Sequence, residues 1–153
     1  MINFRQLRRY KYQTKEVFSI NLYKWFGGFP SRISLKGFIA ISKWGVMTLT
    51  EGYAWDGPSG PTFDTPSLMR ASLVHDALYQ LMREGLLDFK KRKTADIIYR
   101  DLALEDGTPP WRARIHYWSL RVFGKRSSRP WRWRWRRKKK TVLVETPSTE
   151  PRP

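Results

Sequence analysis

Between residues 15 and 54, aromatic and β-branched positions alternate with polar ones in three runs, KEVFSINLYKWF, SRISLKGFIAIS and KWGVMTLTEGYAW, split by Gly27-Gly28, Pro30 and Gly45. Such runs predict short strands joined by turns, hence a small antiparallel sheet of hairpins. After Pro66 the period changes. Leu68, Ala71, Ser72, His75, Leu78, Tyr79 and Met82 follow the three-and-four spacing of one helical face. Thr65 or Asp64 can cap this helix, Pro66 suits its first position, and Gly85 is a stop. The charged segment LDFKKRK leads to a second predicted helix, TADIIYRDLALED, ended by Gly107 and two prolines; a third runs from Trp111 to Phe123, with Gly124 after it. The expected fold class is α+β. Residues 1–124 form one domain, β-rich over 15–54, with a Gly/Pro loop over 55–65 and three helices over 66–124.

Beyond Gly124 no helical period continues, and prolines at 130, 147, 151 and 153 interrupt regular structure. Residues 125–153 hold eleven Lys and Arg against two Glu, and supply +9 of the formal +17. They are expected to be a basic arm, disordered or ordered by a partner. The remaining +8 makes the body basic as well, which favours polyanionic partners. The chain has no cysteine, so disulfides and thiolate zinc sites are excluded. Its N-terminus, MINFRQLRRYKYQTKE, lacks the apolar run of a secretory signal, and no stretch approaches the ~18 to 20 apolar residues of a membrane span. A product made in the cytoplasm is expected.

Chemistry concentrates around His75, one of two histidines. Neighbours on a helix point about 100° apart, so His75 and Asp76 can address two adjacent features of one site. An antiparallel helix pair can bring the carboxylate of Asp96 beside the His75 imidazole. Tyr79 and Tyr99 stand near enough in the pattern to hydrogen-bond that carboxylate. A carboxylate on one ring nitrogen orients the imidazole and leaves the other nitrogen free to take a proton from water. Asp76, facing the loop WDGPSG, can join Asp56 and loop carbonyls such as that of Gly57 in offering oxygen ligands to Ca²⁺. Against these roles stand plainer ones. His75 can fill a helix interface, Asp56-Gly57 is a common turn pair, and Tyr79 and Tyr99 can be core aromatics. His116 has no evident partner and is expected to be structural or superficial. Ser59 in GPSGP lacks the G-x-S-x-G elbow, and metal-dependent H-D phosphohydrolases need a further upstream histidine that this chain lacks.

At Asp56-Gly57, HDALY (75–79), DIIYRDL (96–102) and IHYWSLRVFG (115–124) the chain resembles the phospholipase A2 superfamily, most closely its small prokaryotic branch. It also resembles a phage and bacterial family of unknown function marked by W-D-G-x-S followed by H-D-x-x-Y. Together these resemblances cover residues 52–124. They imply a three-helix phospholipase A2-like core, with His75 as base, Asp96 as its orienter, Tyr79 and Tyr99 in support, and Asp56, Gly57 and Asp76 around calcium. The lipase branches staple the two site helices with disulfides, whereas packing alone must hold them here. Pro58 and Gly60 also alter the calcium loop. One implied function is calcium-assisted ester or lipid hydrolysis, or a catalytically silent relative of it. The other is a non-enzymatic phage component that binds a polyanion or other virion and assembly proteins and is incorporated in the particle.

In the arm, PWRWRWRRKKK interleaves Trp131, Trp133 and Trp135 with Arg132, Arg134, Arg136 and Arg137, after Arg129 and before Lys138, Lys139 and Lys140. Tryptophan settles at membrane interfaces and arginine pairs with anionic headgroups. The same residues can stack on bases and neutralise phosphates. A solvated tail that orders in an assembly is the third expectation.

Overall fold

The computed structural model describes residues 2–6, 12–58 and 65–130. The fold is α+β, with antiparallel sheets first and helices after. The β-rich part forms two sheets where one was expected. A three-stranded sheet of order β1-β2-β7 is built from β1 (Phe4–Gln6), β2 (Tyr12–Thr14) and β7 (Ala54–Trp55); the second, of order β3-β6-β5-β4, comprises β3 (Phe18–Asn21), β4 (Ile33–Leu35), β5 (Ile39–Ile41) and β6 (Val46–Leu49). Strands β1 and β2 escape the pattern because their short FRQ and YQT segments carry little apolar alternation and are held by pairing, Phe4 opposite Thr14 and Tyr12 opposite Trp55.

The expected strand KEVFSINLYKWF also ends early. After Leu22 the chain makes one helical turn, α1 (Tyr23–Phe26), closed by Gly27 in the left-handed conformation at φ 71°. Trp25 fixes that turn by donating its indole N–H to Asp101 at 2.9 Å. The hairpin between β4 and β5 turns at Lys36 and Gly37, with φ 48° and 75°. Positive φ at both central positions matches the strand twist of a tight hairpin, and Phe38 N–H closes the turn onto the Leu35 carbonyl at 2.9 Å.

The three helices fall where the periodicity put them, at α2 (Pro66–Arg83), α3 (Arg92–Glu105) and α4 (Pro110–Phe123), with a 3₁₀ turn at Phe89–Lys91 before α3. Thr65 holds the N-cap position of α2, though its side chain makes no capping bond, and Pro66 occupies the first turn. Helix α2 packs against α3, and α3 against α4. Burial on α2 exceeds the one face that its period marks: Met69, Leu73, Val74, Ala77 and Leu81 are enclosed as well. Each of these side chains but Ala77 contributes about 1.5–3 kcal/mol by leaving water. Together with Leu22, Ile39, Ile41, Met47, Leu49 and Trp55 from the sheets they form one core.

The compact part does not end at Gly124. Arg83 donates to the Ser127 carbonyl at 3.2 Å, and the buried Ser128 hydroxyl bonds the Gly124 carbonyl at 3.0 Å, so the chain folds back onto α2 and α4 through residue 128. Arg129 follows and is exposed. Trp131 to Lys140, the remainder of the expected polyanion-binding stretch, lies outside the described residues. Among the described residues no helix is long and apolar enough to cross a membrane.

Candidate functional site

Helices α2 and α3 bring His75 and Asp96 together. His75 Nε2 lies 3.1 Å from Asp96 Oδ1, with the Asp96 side chain fully enclosed and His75 nearly so. The hydroxyl of Tyr79, one turn along α2, donates to the same oxygen at 2.6 Å. The imidazole stacks obliquely on the Tyr79 ring at 4.0 Å and meets the Tyr99 ring edge-on at 5.5 Å. The Tyr99 hydroxyl sits 3.4 Å from His116 Nδ1. His116 is therefore a buried partner of Tyr99 and not a surface residue.

Two arginines complete the cluster, and the sequence reading missed both. Arg121 of α4 donates to Asp96 Oδ2 at 2.8 Å, and Arg92 stands 3.5 Å from the same oxygen. Arg92 is four residues before Asp96 on one helix, a spacing at which opposite charges meet, so it was legible in principle. Arg121 was not, because nothing local says which way α4 turns it. Arg92 also donates to the carbonyls of Leu120 and Arg121 at 3.1 and 3.3 Å. These belong to the last turn of α4, where the Leu120 carbonyl also accepts from the Gly124 N–H at 2.8 Å and the helix dipole favours a cation. The end of α4 is thus locked to the start of α3.

Gly124 lets this end approach closely. A Cβ there would lie 2.5 Å from the Tyr79 hydroxyl and 2.6 Å from the Leu120 carbonyl oxygen, so no larger residue fits without displacing the Tyr79–Asp96 bond. The glycine that closes the predicted third helix thereby becomes part of the site's packing.

Charge is distributed accordingly. For Asp96, burial opposes ionisation, but hydrogen bonds from His75, Tyr79 and Arg121 outweigh it and hold the carboxyl below its ordinary value of 3.8. For His75, burial disfavours the cation, yet Asp76 and Asp96 overcome this and raise the imidazole above its ordinary 6.5. Burial, followed by the charge of Asp96, pushes the Tyr79 phenol up, so it stays a donor. With Nε2–H directed at an ionised Asp96, the neutral imidazole keeps its lone pair on Nδ1. That nitrogen is 3.7 Å from Asp76 Oδ1, too far for a direct hydrogen bond.

His75, Asp76 and Tyr79 line a cavity of about 510 Å³. Its walls include Leu35 and Phe38 of the β4–β5 hairpin, Trp55 of β7 and Asp56 after it, and Leu120 and Phe123 of α4; Lys36 and Arg83 add positive charge. Trp55 sets the position of Asp56, since its buried indole donates to the Ser72 hydroxyl at 3.2 Å and pins the loop onto α2. Asp56 is exposed, Asp76 is half-buried, and Gly57 turns the backbone at φ 79°.

Of the expected calcium ligands, the described residues include Asp56, Gly57 and Asp76. Asp56 and Asp76 share the cavity, but among the described residues no group of three or more His, Asp or Glu can hold a metal ion. These two carboxylates would supply part of the six to eight oxygens that calcium takes, and the expected loop carbonyls and water the rest. Residues 59–64, the rest of that loop, lie outside the described residues.

Fold and site together define an α+β protein with an enclosed histidine–carboxylate pair opening on a cavity. Residues 38–120, more than half of the chain, match the family DUF1353, described as a protein of unknown function, and the chain belongs to that family. No curated protein and no solved structure matches it. The matched span contains Asp56, His75, Asp76 and Asp96 and stops one residue short of Arg121.

Proposed function

We propose that the protein is an ester hydrolase in which His75 is the general base and Asp96 the residue that orients it. The supporting observation is the 3.1 Å contact of Nε2 with a buried, ionised carboxylate, while Nδ1 belongs to a residue lining a cavity. A water hydrogen-bonded to Nδ1 from the cavity loses its proton to Nδ1 as it attacks the ester carbonyl carbon. Asp96 stabilises the imidazolium that forms. Lys36 and Arg83 supply positive charge for the oxyanion, and the imidazolium then returns its proton to the departing alkoxide. The resemblance to phospholipase A2 points to a lipid ester as substrate, and the resemblance to a phage and bacterial family to a phage setting. No step is routed through calcium.

A second reading has its own observation. Arg121 and Arg92 already counter the charge of Asp96, so the cluster also suits a silent relative in which it only joins three helices, and in which the protein serves assembly or polyanion binding. Hydrolysis of a chromogenic short-chain ester and of mixed phospholipid micelles, with calcium and with chelator, separates the two. General-base catalysis predicts a fall of about 10²–10⁴-fold in kcat for His75→Gln, with the fold retained by circular dichroism. No turnover by the folded wild-type protein under any of these conditions would leave the assembly role.

A further inference from the structure

Helix α4 presents two opposed faces. Ala113, His116 and Leu120 turn inward and are buried. On the other side, Trp111, Ile115, Trp118 and Val122 recur at intervals of four, three and four residues, which at 100° per residue places them within one narrow stripe. They are exposed by 66%, 45%, 61% and 65%, and Phe123 beside them by 76%. A run of large apolar side chains left in water along three turns marks a contact surface and not scattered surface hydrophobics.

The charge around the stripe has one sign. From Pro110 to Pro130 the chain carries Arg112, Arg114, Arg121, Lys125, Arg126 and Arg129 and no acidic residue. Apolar and aromatic residues on one face, cations alongside and no carboxylate form the pattern of a helix that lies in the plane of a negatively charged lipid surface, with tryptophans at headgroup depth and cations on the phosphates. A second copy of this chain would bring these cations, Arg121 with its Asp96 partner apart, against their like, which opposes pairing through this face. Single-stranded nucleic acid would satisfy the cations and the tryptophans but leave Ile115 and Val122 without apolar partners.

We infer that the outer face of α4 is a docking surface for anionic lipid bilayers. The surface is distinct from the His75 site, yet it adjoins the cavity mouth, because Phe123 is at once exposed and part of the cavity wall. Docking in this way sets the cavity opening against the lipid. The sequence beyond Pro130, the Trp/Arg run of residues 131–137, has the same composition of tryptophan and cations.

Flotation of the full chain with vesicles of phosphatidylcholine containing about 30% phosphatidylglycerol tests the inference, with pure phosphatidylcholine as reference. Wild type should float with the anionic vesicles and remain behind with the neutral ones. The double variant Trp118→Ala/Val122→Ser should lower partitioning by about tenfold or more, and Arg114→Glu/Arg126→Glu should lower it at low salt. His75→Gln should float like wild type, which keeps this result separate from any failure of catalysis. A folded Trp118→Ala/Val122→Ser protein that floats like wild type would overturn the inference. So would conversion of a wild-type dimer to a monomer by that variant, or loss of single-stranded DNA binding with flotation unchanged.

Discussion

Helices α2 and α4 lie at two ends of one packed series, and they use their apolar residues in opposite ways. Helix α2 is enclosed along almost its whole circumference, from Leu68 to Met82, whereas α4 buries only Ala113, His116 and Leu120 and turns its largest side chains outward. The difference separates chemistry from contact. A histidine on α2 sits in an enclosed setting, where its attraction to Asp96 is strong and its geometry is held by tyrosine and arginine. A tryptophan on α4 contributes little to the fold and is available to a partner. Arg121 joins the two regimes, since it leaves the half-exposed helix to reach the enclosed carboxylate at 2.8 Å.

Breaking that link should have the largest effect on stability. Asp96→Asn removes the charge that Arg121, Arg92 and His75 surround, and breaking such a buried pair costs about 3–5 kcal/mol; the lower end is expected because Arg121 reaches solvent. Urea unfolding measures it, and a loss under about 1 kcal/mol would mean that the cluster does not hold the helices together. Next, Leu78→Ala on α2 should cost about 2–5 kcal/mol through the cavity it leaves, whereas Trp118→Ala on α4 should stay within about 0.5 kcal/mol. Equal losses at the two positions would erase the contrast between the helices.

Acidity acts on the same cluster from both sides. The contribution of Asp96, whose value is depressed on folding, is present above its ordinary 3.8 and disappears as pH falls through the lower folded value. That of His75, whose value is raised, is fully present below 6.5 and disappears as pH rises through the higher folded value. The network should therefore stabilise most between 3.8 and 6.5. Thermal melts across this range should show both limbs, flattened in Asp96→Asn. The catalytic proposal carries the converse sign: hydrolysis needs neutral His75, so its acid limb should lie above 6.5 and activity should rise toward alkaline pH.

Much of the candidate site could be read in advance from HDALY and DIIYRDL, because two helices with their inward positions marked by period must face each other, and a histidine and an aspartate on those faces have few other partners. Tyr79 follows from the helical spacing. Tyr99, expected to bond the Asp96 carboxylate, meets His75 edge-on and places its hydroxyl 3.4 Å from His116, a residue whose own helix offered no hint of a partner. The two-sheet arrangement was hidden for a related reason. FRQ and YQT become strands through pairing with each other and with Ala54–Trp55, and their side chains carry no period that announces it.

Turn residues and hydrophobic period, which act over a handful of neighbours, were enough to set where α2, α3 and α4 begin and end and which residues of α2 and α3 would meet. The company kept by Asp96 was settled by packing in three dimensions. Arg121, 25 residues away, reaches it only because Gly124 and Arg92 hold the end of α4 against α2 and α3. A buried carboxylate takes the donors that space brings within reach, and that space exists only once the helices are assembled.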